Sequence, residues 1–188
     1  NVQLGLNAGL GQNVNSVAIG TNAGLSSQGS YGISMGYRAG YLSQNTQSIA
    51  IGTSAGTSYQ DTRSIAIGIS AGNNRQGSSA VAIGFQAGLT SQAAGGIAIG
   101  WRCGEAGQGT DSIAIGTAAG LTGIGSGTII LASGTGGLSN TTTNAFFVKN
   151  MRTITSGQVG SIMAHGGAGE VFETTTYVDT NGSFVCPN

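Results

Sequence analysis

The stretch Ser48–Gly56, SIAIGTSAG, decides the fold, because it returns as SIAIGISAG at 64–72, AVAIGFQAG at 80–88 and SIAIGTAAG at 112–120. Aligned on its second residue, the motif starts at Val2, Val17, Ile33, Ile49, Ile65, Val81, Ile97, Ile113 and Ile129, one step of 15 and then steps of 16. A short fixed period of this kind describes a stack of identical units, none of which can bury its apolar face without its neighbours.

Within a unit, Ile49, Ala50 and Ile51 alternate large and small, which in an extended strand places the two isoleucines on one face and the alanine on the other. β-Branched residues favour a pleated strand, and the glycine that follows (Gly52 here) supplies a bend. A second glycine at the eighth position, such as Gly56, closes a second short extended piece, and the polar remainder, TSYQDTR at 57–63, reads as turn. The expected architecture is all-β: a parallel β-solenoid, or β-roll, of 16-residue coils over residues 1–136, about nine coils stacked at about 4.8 Å into a rod roughly 40 Å long, with residues 137–188 as a C-terminal cap or neck containing a β-hairpin. NAFFVKNMRTI (144–154) reads as a strand and VGSIMAHGGAGEVFETTTYV (159–178) as a hairpin turning at Gly166–Gly169.

The large residues at the first and third positions, Val17, Ile19, Ile33, Met35, Ile49, Ile51 and their successors, are expected to point inward together with the seventh-position Ala23, Ala39, Ala55, Ala71, Ala87, Cys103 and Ala119. Cys103 then acts as a small buried hydrophobe. The second-position residues Ala18, Ser34, Ala50, Ala66, Ala82, Ala98 and Ala114 are then left facing outward. An outward strip of alanine invites another backbone to approach closely, so Ala18, Ala50, Ala66, Ala82, Ala98 and Ala114 are the expected interface between copies of the chain. A thin coil with two or three large side chains barely offsets the ordering cost of its residues, about 1.5 kcal/mol each.

These repeats resemble the head domains of trimeric autotransporter adhesins, whose units read much like SVAIGTNAG at 16–24. The resemblance covers residues 1–136 and implies three left-handed parallel β-rolls around a threefold axis, working as a surface adhesin. The period is 16 here, longer than in that family. The segment after residue 136 is similar to one that follows such repeats in trimeric virus or phage tail-fibre and spike proteins, where it helps close the trimer. The resemblance thus implies an extracellular homotrimer on a virion, fibre or cell surface, with itself as partner and a host-surface glycan or protein receptor as a further one.

Composition sets limits on other functions. Of 188 residues, 36 are glycine and 6% are charged, with six basic and six acidic side chains, so the sequence carries no basic footprint for nucleic acid or anionic lipid. No run of eighteen apolar residues occurs, and no membrane insertion is expected. Chemistry is hard to find. Asp61, Glu105 and Asp111 fall at different positions of the period and do not stack into the carboxylate pair that a polysaccharide-cutting β-helix needs; Glu170 and Glu173 lie at odd spacing on one strand, so they point to opposite faces, and Asp179 stands apart. His165 has no Cys or carboxylate at metal-ligand spacing. No catalytic residue, metal or cofactor is expected, and the chain reads as a non-enzyme.

One set of side chains invites a binding role. Tyr37, Phe85 and Trp101 share the fifth position, and arginines follow two of them as Arg38 and Arg102; an exposed aromatic beside a guanidinium is a stacking platform for a sugar ring, the alternative being packing at the bend or into the oligomer axis. Two further readings remain: a self-assembling extracellular fibril subunit, and an ice-binding solenoid, whose threonine array is interrupted here (Thr21, Thr53, Thr117).

Overall fold

The computed structural model describes residues 1–132 and 138–148, together with the strands Val159–His165, Val171–Val178 and Phe184–Val185. The chain divides into two compact units, Asn1–Asn150 and Met151–Asn188.

The first unit is a parallel β-solenoid built from two sheets. Sheet A holds ten strands of three residues, from Val2–Leu4 through Ile49–Ile51 to Phe146–Val148, in sequence order. Sheet B holds eight, from Ser26–Gln28 through Ser58–Gln60 to Leu138–Asn140. Among the described residues, the eight coils that begin at Val17 and end at Leu138–Asn140 each contribute one strand to each sheet, and Val2–Leu4 and Phe146–Val148 extend sheet A alone at its ends. The register follows the repeat: Ile49 lies beside Ile65, Ala50 beside Ala66, Ile51 beside Ile67. The stack outlasts the in-phase motif. Phe146–Val148 pairs with Ile129–Leu131, and Leu138–Asn140 with the long strand Ala119–Ile124, so the parallel pairing continues through Val148.

The second strand of each coil is not where the spacing of glycines suggested. The piece between Gly52 and Gly56 is turn, and the strand is Ser58–Gln60, inside the stretch that reads as turn from its polarity. The reason lies in its last residue. Gln28, Gln44, Gln60, Gln76, Gln92 and Gln108 point into the tube and are at most 1% exposed. Facing them from sheet A are Ala18, Ser34, Ala50, Ala66, Ala82, Ala98 and Ala114, all fully buried. The bends add the buried column Ala23, Ala39, Ala55, Ala71, Ala87, Cys103 and Ala119, and a column that includes Ser16, Ser48, Ser64 and Ser112.

The expected sidedness of sheet A is therefore reversed. The strand alternates as the sequence indicates, but alanine faces the core, and the valines and isoleucines of the first and third positions stand on the outer face, half-buried or exposed: Ile83 and Ile99 are each 36% exposed and Ile115 40%. Ala18, Ala50, Ala66, Ala82, Ala98 and Ala114 are consequently not a surface on which copies can meet. The tube is too narrow for the expected packing. Its cross-section is filled by a glutamine reaching from one sheet to the other: a methyl group added at Gly56 would sit 2.6 Å from Gln60 Oε1 and 3.2 Å from Ala50 Cβ. An inward isoleucine at position 50 has nowhere to go.

A buried amide is costly unless its hydrogen bonds are made. Here each glutamine Nε2 lies within hydrogen-bond distance of the backbone carbonyl eleven residues earlier, as in Gln60 to Ile49 (2.6 Å), Gln76 to Ile65 (2.7 Å) and Gln108 to Ile97 (2.7 Å). The same amides also form a row along the rod: Gln60 donates to Gln76 Oε1, Gln76 to Gln92 and Gln92 to Gln108, at 3.1–3.2 Å. Ser34 replaces alanine in one coil and inserts its hydroxyl into the row, accepting from Gln28 Nε2 and donating to Gln44 Oε1. At the far end Ile124 takes the glutamine position and packs with Ile130, Ala114 and Ala119, so the core there turns aliphatic.

The bend after each sheet A strand needs glycine for two reasons at once. Gly52 has φ 124°, a conformation that L side chains rarely adopt, and a methyl group there would lie 2.6 Å from the carbonyl oxygen of Gly68 in the next coil.

The second unit contains an antiparallel three-stranded sheet. Val159–His165 pairs with Val171–Val178, placing His165 beside Val171, and Val171–Val178 pairs with Phe184–Val185. The two longer strands match the expected hairpin, while its Gly166–Gly169 turn, Glu170, Asp179 and Cys186 lie outside the described residues, as do the side chains of His165 and Glu173.

Candidate functional site

Three surfaces of the solenoid carry side chains that its own folding leaves exposed. The first is the outer face of sheet A. Its two columns of Val, Ile and Met run without a charged residue from Val17 and Ile19 to Ile113 and Ile115. Seven coils at about 4.8 Å make this an apolar strip on the order of 30 Å long. An isolated chain seldom leaves so regular an apolar surface in water.

The second is the fifth-position ridge, one glycine beyond those columns. Tyr37, Ile69, Phe85 and Trp101 are 41–53% exposed. Phe85 and Trp101 stack, with ring centroids 6.4 Å apart and planes 11° from parallel. The Arg102 guanidinium lies 5.2 Å from the Trp101 ring centroid and is clamped from the other side by Glu105, with Nε to Oε2 at 2.6 Å and Nη2 to Oε1 at 3.0 Å. That carboxylate raises Arg102 above its already high value. The structure thus assembles Phe85, Trp101 and Arg102 into one platform and leaves Tyr37 and Arg38 apart from it, because Thr53 and Ile69 occupy the intervening coils. Arg38 turns to a different ring, 4.5 Å from the centroid of Tyr41.

The third surface lies on the outer face of sheet B, opposite the isoleucine columns. Ser43, Tyr59 and Arg75 are the central residues of three consecutive strands, each with φ between 53° and 59°, which turns the side chain away from the core. With Asn45 and Asp61 they line a cleft of about 360 Å³, open to solvent, with Gly77 on its wall. Asp61 Oδ1 accepts from the Thr62 backbone N–H (2.6 Å) and from Asn45 Nδ2 (3.1 Å), and these two donors, the backbone one foremost, hold its carboxyl below the usual aspartate range. The polarity of TSYQDTR, which reads as turn, hides this cleft in the sequence. The available signal was the column itself: the repeat places Ser27, Ser43, Ser91 and Gly107 at the central position, and Tyr59 and Arg75 depart from it in adjacent coils.

Of the acidic residues considered for catalysis, Glu105 is engaged by Arg102 and Asp61 by Thr62 and Asn45, while Asp111 is exposed. Among the described residues no group of three or more His, Cys, Asp or Glu side chains could hold a metal ion, and no helix is long and apolar enough to cross a membrane. Comparison with protein-family models, curated proteins and solved structures finds no match for this chain.

Proposed function

We propose that the chain is a non-catalytic structural and adhesive protein, a short rod that assembles as a homotrimer and projects a binding surface from a virion, fibre or cell. The observation that carries this reading is the outer face of sheet A. Its isoleucines repeat every coil, at the strand spacing of about 4.8 Å, and the partner that repeats at the same interval is another copy of the same rod. With the two sheets back to back in each coil, three copies can turn sheet A toward a common axis and keep sheet B in water. The proposed interface is the column of Ile49, Ile51, Ile65, Ile67 and their equivalents, since the alanine column is buried within each chain.

Native mass spectrometry tests the assembly. The expected particle has three times the 18.4 kDa chain mass, and the double variant Ile67→Lys, Ile99→Lys is expected to run as single folded chains. A wild-type chain that stays single in dilute buffer overturns the proposal, and an unbounded series of masses replaces the trimer by a filament.

A further inference from the structure

We infer that the cleft on the outer face of sheet B is a saccharide-binding site, in which Tyr59 stacks on the C–H face of a pyranose ring while Arg75 and Asp61 read a pair of its hydroxyls. The inference rests on the adhesive reading above and names the chemistry of its ligand.

Stacking within a solenoid dictates what a residue must be only where it touches the coils above and below. The inward Gln60 and Gln76 keep the repeat, and the residues between them and their neighbours do not. Tyr59 is 62% exposed, and no ring contact or hydrogen bond of its side chain occupies it among the described residues. Arg75 is exposed and makes no ion pair among the described residues, whereas Arg102 does. The two side chains rise from adjacent coils about 4.8 Å apart, flanked by Ser43 on one side and Ser91 on the other, so nothing bulky fills the space around them.

The polar groups are complementary rather than redundant. Thr62 and Asn45 donate to Asp61 Oδ1 and so fix the carboxylate, whose several lone pairs leave it able to accept from a ligand hydroxyl as well. Arg75 offers only donors. One charged acceptor, one charged donor and an exposed ring, with no net charge between them, suit a neutral polyol with one apolar face. A peptide fits poorly: the strands beneath the cleft are paired on both sides, so no sheet edge is available for strand addition. The cleft also faces away from sheet A, and remains open when copies cover the isoleucine columns.

The test is a glycan array carrying neutral and acidic oligosaccharides, probed with the full chain and followed by saturation-transfer NMR on the members retained. Binding of at least one neutral member is expected. Tyr59→Ser and Arg75→Ser place the repeat's own residue at each position, so the coil keeps its fold, and each should weaken binding about tenfold or more, as loss of a stacking contact or a charged hydrogen bond does. Asp61→Asn should do the same. An array that retains nothing overturns the site, as does binding that survives Tyr59→Ser and Arg75→Ser. Retention of acidic members alone, insensitive to Asp61→Asn, replaces the hydroxyl reading by simple anion capture at Arg75. Particle mass measured on the same preparation separates the two proposals: a trimer that binds no saccharide removes this site and keeps the assembly, and a single chain that binds keeps the site and removes the trimer.

Discussion

The side-chain amide of Gln60 reaches across the tube to the backbone carbonyl of Ile49, 2.6 Å away, and so ties sheet B to sheet A within one coil. Five other glutamines repeat this tie, and with the backbone ladders they do for the rod what a packed aliphatic core does for an ordinary domain.

Gln76→Leu is therefore expected to be far more damaging than a conservative change in volume implies. It removes the donor that lies 2.7 Å from the Ile65 carbonyl and 3.2 Å from Gln92 Oε1, which unties the two sheets in that coil and leaves the buried Gln92 oxygen without its donor, at about 1–3 kcal/mol. Chemical denaturation of the variant against wild type measures the loss.

Opposite outcomes are expected on the two faces of one strand. Ala66→Leu forces a larger side chain into a fully buried site and should cost about 1–3 kcal/mol or more from overpacking. Ile67→Thr, on the outer face, should leave the single coil folded and weaken assembly instead. Thermal melting and sedimentation, run on both variants, separate these effects.

The strand period, the alternation within it and the parallel stack were legible in the sequence because each rests on spacing alone. Sidedness was not. Alternation of Ile and Ala names two faces without saying which is inside, and the usual rule that the larger apolar residue is buried fails when the tube is only wide enough for alanine opposite glutamine. The deciding signal stood sixteen residues apart in Gln28, Gln44, Gln60, Gln76, Gln92 and Gln108, hidden because a polar residue amid Ser, Thr and Asn reads as loop. The same polar surroundings conceal Tyr59 and Arg75, whereas Phe85, Trp101 and Arg102 stand out because they interrupt the apolar motif itself.

Gly52→Ala should destabilise the rod even though it adds a single methyl group. The added carbon meets the Gly68 carbonyl oxygen at 2.6 Å while φ is 124°, and backbone strain of this kind costs on the order of 1–3 kcal/mol before the clash is counted. A lowered melting temperature with unchanged circular dichroism below the transition is the expected result.

Cys103 sits in the alanine column of the bends, fully buried, and desolvation pushes its thiol up to about 12 from the ordinary 9.0. Because the folded value lies above the unfolded one, the contribution of the neutral thiol to stability is complete below pH 9 and is lost as the pH rises from there toward 12. At pH 8 Cys103 should resist a disulfide-exchange reagent in native protein and react at once in denaturant. Cys103→Ala, matching Ala87 and Ala119 above and below it, should change stability by less than about 1 kcal/mol and abolish the alkaline loss.

Because successive coils present nearly the same contacts to the one before and the one after, the rod behaves as a ruler whose length is set by copy number. Insertion or deletion of sixteen residues returns each glutamine to an equivalent carbonyl and each glycine to an equivalent bend, so lineages can lengthen or shorten the shaft by recombination between repeats without redesigning it. An eight-residue change instead sets alanine strands against glutamine strands in the same sheet, and such alleles should be purged.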